Sequence, residues 1–306
     1  MFRPIVQTLI SEQAPRMQRA TLLGRFDSSF YAALCIGSVL GGAIWDIWNF
    51  VGLFCFLFTC CLSALIIAMP LFLRHPFEAG SNLAKTISTD IKSAVSGSDY
   101  PGLLLFIFGR ACGISACATF LPILLVSKLA LSGFEIGIIM ASSTLVMALL
   151  LRPAGKLADR VSRKILILSG GATVALLYLL LPMATGFLPV LLLTVGIGGG
   201  SALSQPAVSS LLAEQGSNLG MGTSIGTFHG VLNLGFVVGA LLGATVQTLL
   251  GLQMVFVLAG VVGTGSLLGL IFPLSIPDLR LKRYLPLNKR RDRQPFITVL
   301  THEEIH

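Results

Sequence analysis

Residues 3–13 read RPIVQTLISEQ, and residues 205–215 read QPAVSSLLAEQ. A shift of 202 positions carries Pro4 onto Pro206, Val6 onto Val208, Leu9 onto Leu211, Glu12 onto Glu214 and Gln13 onto Gln215. The match runs on without a gap: Thr21 falls on Thr223, Gly24 on Gly226, Phe26 on Phe228, Gly37 on Gly239, Leu40 on Leu242, Gly41 on Gly243 and Phe54 on Phe256. Self-similarity at a fixed offset marks a repeated structural unit. An offset this long is not that of a solenoid, so the sequence holds parts of two copies of one large unit.

Composition identifies the medium. Of 306 residues, 54% are hydrophobic and only 11% charged, with a mean hydropathy of +0.87, whereas a soluble domain is about 25% charged. A hydrocarbon layer about 30 Å thick asks for about 20 consecutive apolar residues per helix. Such runs recur at 28–48, 50–73, 101–127, 132–152, 165–186, 188–212, 221–248 and 251–274. They are continuously apolar rather than alternating, which excludes a membrane barrel. The expected fold is therefore all-α: a polytopic membrane protein of about eight full transmembrane helices, with 3–13 as the stub of another.

The opening MFRPIVQTLISEQAPRMQR lacks the basic start, apolar core and small-residue cleavage site of a secretory signal. All six cysteines (Cys35, Cys55, Cys60, Cys61, Cys112, Cys117) fall inside the apolar runs, where Cys behaves as a small hydrophobe. Neither disulfides nor a metal site with CxxC spacing is expected, and no cofactor is expected either.

Of the 21 Lys and Arg residues, all but Lys128 and Arg110 lie before 28, at 74–100, at 152–164 or after 274, on one side of the expected membrane. The positive-inside rule makes that side cytoplasmic. The C-terminus is then cytoplasmic, in a plasma or inner membrane. The net charge of +8 mostly reports this topology; the tail DLRLKRYLPLNKRRDRQ (278–294) is a solvated basic segment or a contact for anionic lipid, and no nucleic-acid fold is present. Both repeat copies begin on the same side, so the repeat is parallel, the pattern of transporters whose halves are related by an axis along the membrane normal. Counterparts of the helices preceding 205–215 fall before residue 1. The repeat thus leads us to expect about a hundred further residues, three helices and most of a fourth, ahead of this sequence.

Between two apolar runs stands GKLADRVSRK (155–164). This stretch resembles the G-x-L-a-D-R-x-G-R-K motif of the major facilitator superfamily, in its second-half position between the eighth and ninth helices. Gly155, Leu157, Ala158, Asp159, Arg160, Arg163 and Lys164 match, and Ser162 replaces the second glycine. Gly155 permits close packing as the helix ends, and Asp159 supplies an anion that can face a helix N-terminus. The resemblance implies that this loop, through Gly155, Asp159, Arg160, Arg163 and Lys164, touches the start of the fifth helix near Arg25–Ser28 and latches the outward-facing state. The plainer alternative is a basic turn that only fixes topology.

A second family motif, G-P-x-x-G-G of the fifth helix, is associated with antiporters. Here it reads Gly37-Ser38-Val39-Leu40-Gly41-Gly42, with Ser38 in place of proline, and its second copy runs from Gly239 to Gly243 and Ala244. The spacing allows close helix packing, while the missing proline weakens an assignment to proton-driven drug efflux. The resemblance divides the chain into 1–74, the remainder of the N-terminal half (the fourth-helix stub and helices five and six); 75–100, a cytoplasmic central loop; 101–275, the C-terminal six-helix half; and 276–306, a basic cytoplasmic tail.

Ionisable groups inside a span are costly and so are functional candidates. Arg110 lies about 13–14 Å into its helix. It is a candidate to bind an anionic substrate in the cavity that the resembling fold implies, or to pair with a carboxylate; snorkelling to the interface is the alternative. His229 and Asn233 share a helix face, His229 being the repeat counterpart of Asp27, and serve either proton coupling or helix packing. In GIGGGSALSQPAVSS, Gln205 is a cavity candidate and Pro206 an expected bend. Glu135 and Asp46 are placed at the outer interface.

No HExxH, GxSxG or nucleotide-binding loop occurs, so neither an enzyme nor direct ATP coupling is expected. The leading function is a secondary transporter that moves a small solute by alternating access, efflux-like or proton-coupled. The rival is a truncated or degenerate non-transporting membrane protein or sensor that keeps the fold. Solute, protons and lipid are the expected partners; a monomer is expected for a full-length protein, and a dimer or a complementing chain for a short one.

Overall fold

The computed structural model describes residues 19–74, 100–158, 161–215 and 221–274. Its elements are α1 (Arg19–Arg74), α2 (Tyr100–Leu129), α3 (Gly133–Ala158), α4 (Arg163–Leu180), a 3-10 turn (Leu181–Met183), α5 (Phe187–Gln215), α6 (Met221–Leu250) and α7 (Leu252–Leu274). No strand occurs among the described residues. The stub at 3–13, nearly all of the 75–100 loop and the 276–306 tail lie outside them.

Seven helical tracts stand where eight spans were expected, because 28–48 and 50–73 run together in α1. They are not one rod. Asn49 leaves helical geometry at φ 51° and ψ −154°, a left-handed φ that Asn tolerates better than most residues. The Cδ1 of Leu53 lies 3.9 Å from the point where Gly41 would carry a Cβ, yet twelve residues of unbroken helix would separate the two by about 18 Å. The chain therefore folds back at Asn49, and Trp45 and Phe50 meet edge to face across the bend with ring centroids 4.2 Å apart. Two antiparallel segments result, each long enough to cross a bilayer.

Short connections force the remaining helices to alternate in direction. Gly251 alone separates α6 from α7 and adopts φ 94°, a conformation that a side chain would strain. The expected span 165–186 ends sooner, at Leu180, and tightens into the 3-10 turn. Pro182 has no N–H with which to continue the α-helical ladder.

Helices α2–α7 form one bundle in which α2 packs on α6 and α7, α4 on α5 and α7, and α3 on α5. Its core has two parts. One surrounds Phe120, Leu125, Ile139, Tyr178 and Phe256; the other surrounds Phe106, Ile107, Leu166, Ile167 and Val208. Large apolar side chains also cover the outside, among them Leu149, Leu176, Leu192, Leu241 and Val261. In water such a surface would be an aggregation hazard; in lipid it is the face the medium requires. The most apolar stretch of α1 buries none of its residues, against 22–56% in the other helices, so α1 joins the bundle along one line only, against α3.

The glycine motif behaves differently in its two copies. A Cβ on Gly239 would collide with the backbone of Cys112, and one on Gly243 with the ring of Phe120, so this stripe lets α6 lie directly on α2. In the first copy only Gly42 is so confined, by the Gly133 carbonyl on α3. Gly37 has no described atom within 4 Å of its Cβ position, and Gly41 only the tip of Leu53. No described helix stands against α1 where α2 stands against α6.

Alanine has the higher helix propensity by about 1 kcal/mol, while overpacking costs about 1–3 kcal/mol. Gly239→Ala should therefore lower the apparent Tm of the detergent-solubilised protein, and Gly37→Ala should leave it unchanged or raise it. Fluorescence-detected gel filtration after heating reads both.

Candidate functional site

A cavity of about 630 Å³ opens between α1 and the bundle. Its walls come from α1 (Asp27, Tyr31, Ser38), α2, α3, α5 and α6, with Tyr178 added by α4. Most of the lining is apolar, with Leu34, Ile107, Leu121, Met140, Met147 and Phe236 contributing. Hydroxyl bonds tie together the helices around it. Ser142 and Thr194 hydroxyls join α3 to α5 at 2.8 Å, and the Ser115 hydroxyl donates to the Phe236 carbonyl at 2.7 Å, joining α2 to α6. Such bonds hold helices together where lipid offers no hydrophobic drive for association.

Arg110 and Gln205, far apart in sequence, meet in this cavity. The Arg110 guanidinium donates from Nη1 to Oε1 of Gln205 at 2.6 Å, bridging α2 and α5. The helical positions explain the meeting: Arg110 lies one-third of the way along α2, and Gln205 lies beyond the middle of the oppositely directed α5. The partner of Nη1 is thus a neutral amide rather than a carboxylate. A guanidinium offers five donors in a planar fork, so the amide orients the group without exhausting it. Gln205 precedes Pro206, which sits inside a helix that continues to Gln215.

His229 is buried and lines the same cavity from α6, as does Asp27 from α1. These are the two repeat counterparts, so the pseudo-symmetry brings an acid and an imidazole to one space. Asn233 does not accompany His229: it is exposed and forms no part of the cavity wall. Residues four apart on a helix are offset by about 40°, enough to carry Asn233 around the edge of α6.

Of the charged turn, Arg163 and Lys164 open α4, while Asp159 and Arg160 lie outside the described residues. Gly155 has no described atom within 4 Å of its Cβ position, so the close packing expected there has no described partner. Ser162 stands at the N-cap of α4 but makes no capping bond through its hydroxyl.

Asp46 and Glu135, expected only at the outer interface, act with Ser132. Together they satisfy the start of α3. Ser132 N–H donates to Oε2 of Glu135 at 2.9 Å, and Glu135 N–H donates to the Ser132 hydroxyl at 3.3 Å. This is the reciprocal capping box, legible in advance as the S-x-x-E of SGFE. Asp46 of α1 accepts the remaining two, from Gly133 N–H at Oδ1 and Phe134 N–H at Oδ2, each at 2.7 Å. No local pattern announces that contact, because it crosses 87 positions of sequence.

A family model for the Major Facilitator Superfamily matches residues 103–303. Among curated proteins, the Multidrug resistance protein MdtG of Enterobacter lignolyticus (strain SCF1) is 30% identical over 278 residues, covering 85% of this chain and 63% of its own length. The protein of the same name from Salmonella arizonae is 30% identical over 273 residues, with 85% and 66% covered. That of Escherichia coli (strain SMS-3-5 / SECEC) is 31% identical over 276 residues, with 85% and 65% covered. The chain thus spans 63–66% of the length of these relatives.

A double-mutant cycle on Arg110→Leu and Gln205→Leu isolates the bridge. A hydrogen bond to a charged group is worth about 1.5–3 kcal/mol, and Gln205→Leu alone should cost most of that. In an Arg110→Leu background it should cost almost nothing, as read by unfolding in mixed micelles.

Proposed function

The chain belongs to the major facilitator superfamily, and from that premise we propose that its cavity is the solute site of a secondary active transporter. The observation that carries this reading is the cavity itself. It lies between α1, from the first repeat copy, and the bundle that holds the second, and its volume of about 630 Å³ suits a drug-sized molecule. Alternating access asks the two copies to rock about such a space. The strongly basic ends of α3 and α4 (Arg152, Lys156, Arg163, Lys164) face the cytoplasm, and Lys128 marks the outer end. The protein sits in a plasma or inner membrane, with its C-terminus inside.

The solute is an apolar molecule with an acidic or strongly accepting group. Apolar walls supply area without demanding shape, and Arg110, oriented by Gln205, supplies a fixed cation toward which an acid turns. Export is the direction favoured by relatives named for multidrug resistance. Protons drive it, carried by His229, which shares the cavity wall with its repeat counterpart Asp27. Binding energy from the walls is common to many solutes, so selectivity falls to the few polar groups. At the cytoplasmic end, the latch that the family motif implies rests on Asp159, which lies outside the described residues. A charge near a helix N-terminus is worth only about 0.3–2 kcal/mol, suited to a contact that breaks in every cycle.

In proteoliposomes with an imposed proton gradient, apolar acids should be carried, and Arg110→Gln should lower their kcat/KM by about 100-fold, equivalent to about 2.8 kcal/mol. Neutral solutes of similar size should change little. Unaltered kinetics in Arg110→Gln would remove Arg110 from the site, and no uptake of any solute by correctly folded protein would remove the transport reading.

Asp159→Asn should raise the reactivity of Cys117, which lines the cavity, toward a membrane-impermeant maleimide added from the cytoplasmic side. Unchanged labelling would exclude the cytoplasmic latch.

A further inference from the structure

At the Lys128 end, α1 and α3 cross with their backbones in contact. A Cβ on Gly42 would strike the Gly133 carbonyl, and one on Gly137 would come within 2.6 Å of the Ser38 carbonyl. The antiparallel contact therefore extends over Ser38–Asp46 on one helix and Gly133–Gly137 on the other. It ends in the Asp46 carboxylate, which accepts the N–H groups of Gly133 and Phe134. The α1 helix comes from the first repeat copy and α3 from the second, so this is a contact between halves. With Ser132 and Glu135 closing their capping box, all four N–H groups from Ser132 to Glu135 are bonded to side-chain oxygens. Two of the four depend on the other half of the molecule.

We infer that Asp46 is an outer gate latch, whose docking onto the first turn of α3 closes the cavity at the Lys128 end and whose release opens it. This rests on the alternating-access reading above and adds the element that reading lacks, a breakable bond at the outer end. The chemistry suits a reversible closure. A carboxylate at a helix N-terminus is held by two charge-assisted bonds and the helix dipole together. Asp46 is exposed, so water can replace it on the Gly133 and Phe134 N–H groups as the halves part, and neither group is left buried without a partner. The glycines at the crossing let the backbones close without side chains to displace. Ser132 and Glu135 stay with α3 in either state, since their bonds lie within one helix. The repeat counterpart of Asp46 is Thr248, so the second copy has no equivalent carboxylate.

The test keeps Cys117, which lines the cavity, as the sole cysteine of the full chain and measures its labelling by a membrane-impermeant maleimide in right-side-out and everted vesicles. Asp46→Ala should raise labelling from the Lys128 side roughly three- to tenfold, the population shift that loss of such a contact permits, and lower it from the other. An unchanged rate in protein with normal gel-filtration behaviour overturns the latch. If Asp46→Ala does not fold, Asp46→Asn decides: it removes the charge but keeps one accepting oxygen, and should give a smaller rise in the same direction, with no rise overturning the proposal. Labelling needs no solute, so a chain that carries nothing yet shows the rise keeps the latch and loses the transport reading.

Discussion

A helix inside a hydrocarbon layer satisfies its own backbone everywhere except at its ends, and those ends must find partners or meet water. Much of this structure answers that constraint. At the start of α3, three side chains from two helices take up four N–H groups. At the close of α4, Lys128 of α2 reaches over to the carbonyls of Pro182 and Ala184 at 2.6 and 3.1 Å, placing a cation at the negative end of the helix dipole. Both contacts join helices that are not neighbours in sequence. Capping, a local matter in soluble proteins, here serves as tertiary structure.

The same constraint explains why polar residues are few and concentrated. A polar group facing lipid has no partner, so Ser142, Thr194, Ser115, Arg110 and Gln205 all turn toward other helices, with Thr194, Arg110 and Gln205 also in the cavity wall. Many remaining hydroxyls bond back to their own helix, as Ser38 does to the Leu34 carbonyl and Thr264 to that of Gly260. That return bond removes the cost of a hydroxyl in a span without creating a site. Polar residues that reach across helices are thus distinguishable from those that fold back on their own, and the cavity wall holds both kinds, Ser38 among the latter.

The helices were legible because continuous apolar runs of bilayer length leave few alternatives. The break at Asn49 was legible too, as a boundary between two runs, although the helix resumes so soon that the two join in one tract. Arg110, Gln205 and His229 could be singled out one by one from the cost of polarity in a span, but their meeting could not, since it depends on how α2, α5 and α6 rotate when packed. Asn233 shows the limit: a shared face at four-residue spacing still spans enough angle for one residue to enter a cavity and the other to leave it. The Asp46 contact lies wholly beyond local pattern, for a carboxylate at a helix end reads the same whether it meets water or another helix.

The two copies of the repeat also show how one motif serves different contacts. On α6 the stripe of Gly239 and Gly243 is filled by α2, within one bundle. On α1 the related stripe stays open at Gly37, and the close approach shifts to Gly42, which turns toward α3. Gly41 and Gly42 occupy adjacent positions about 100° apart, and of the two only Gly42 is held against a neighbouring backbone that a side chain would strike. In the second copy, where Ala244 stands in its place, that position is exposed, and a methyl group is tolerated.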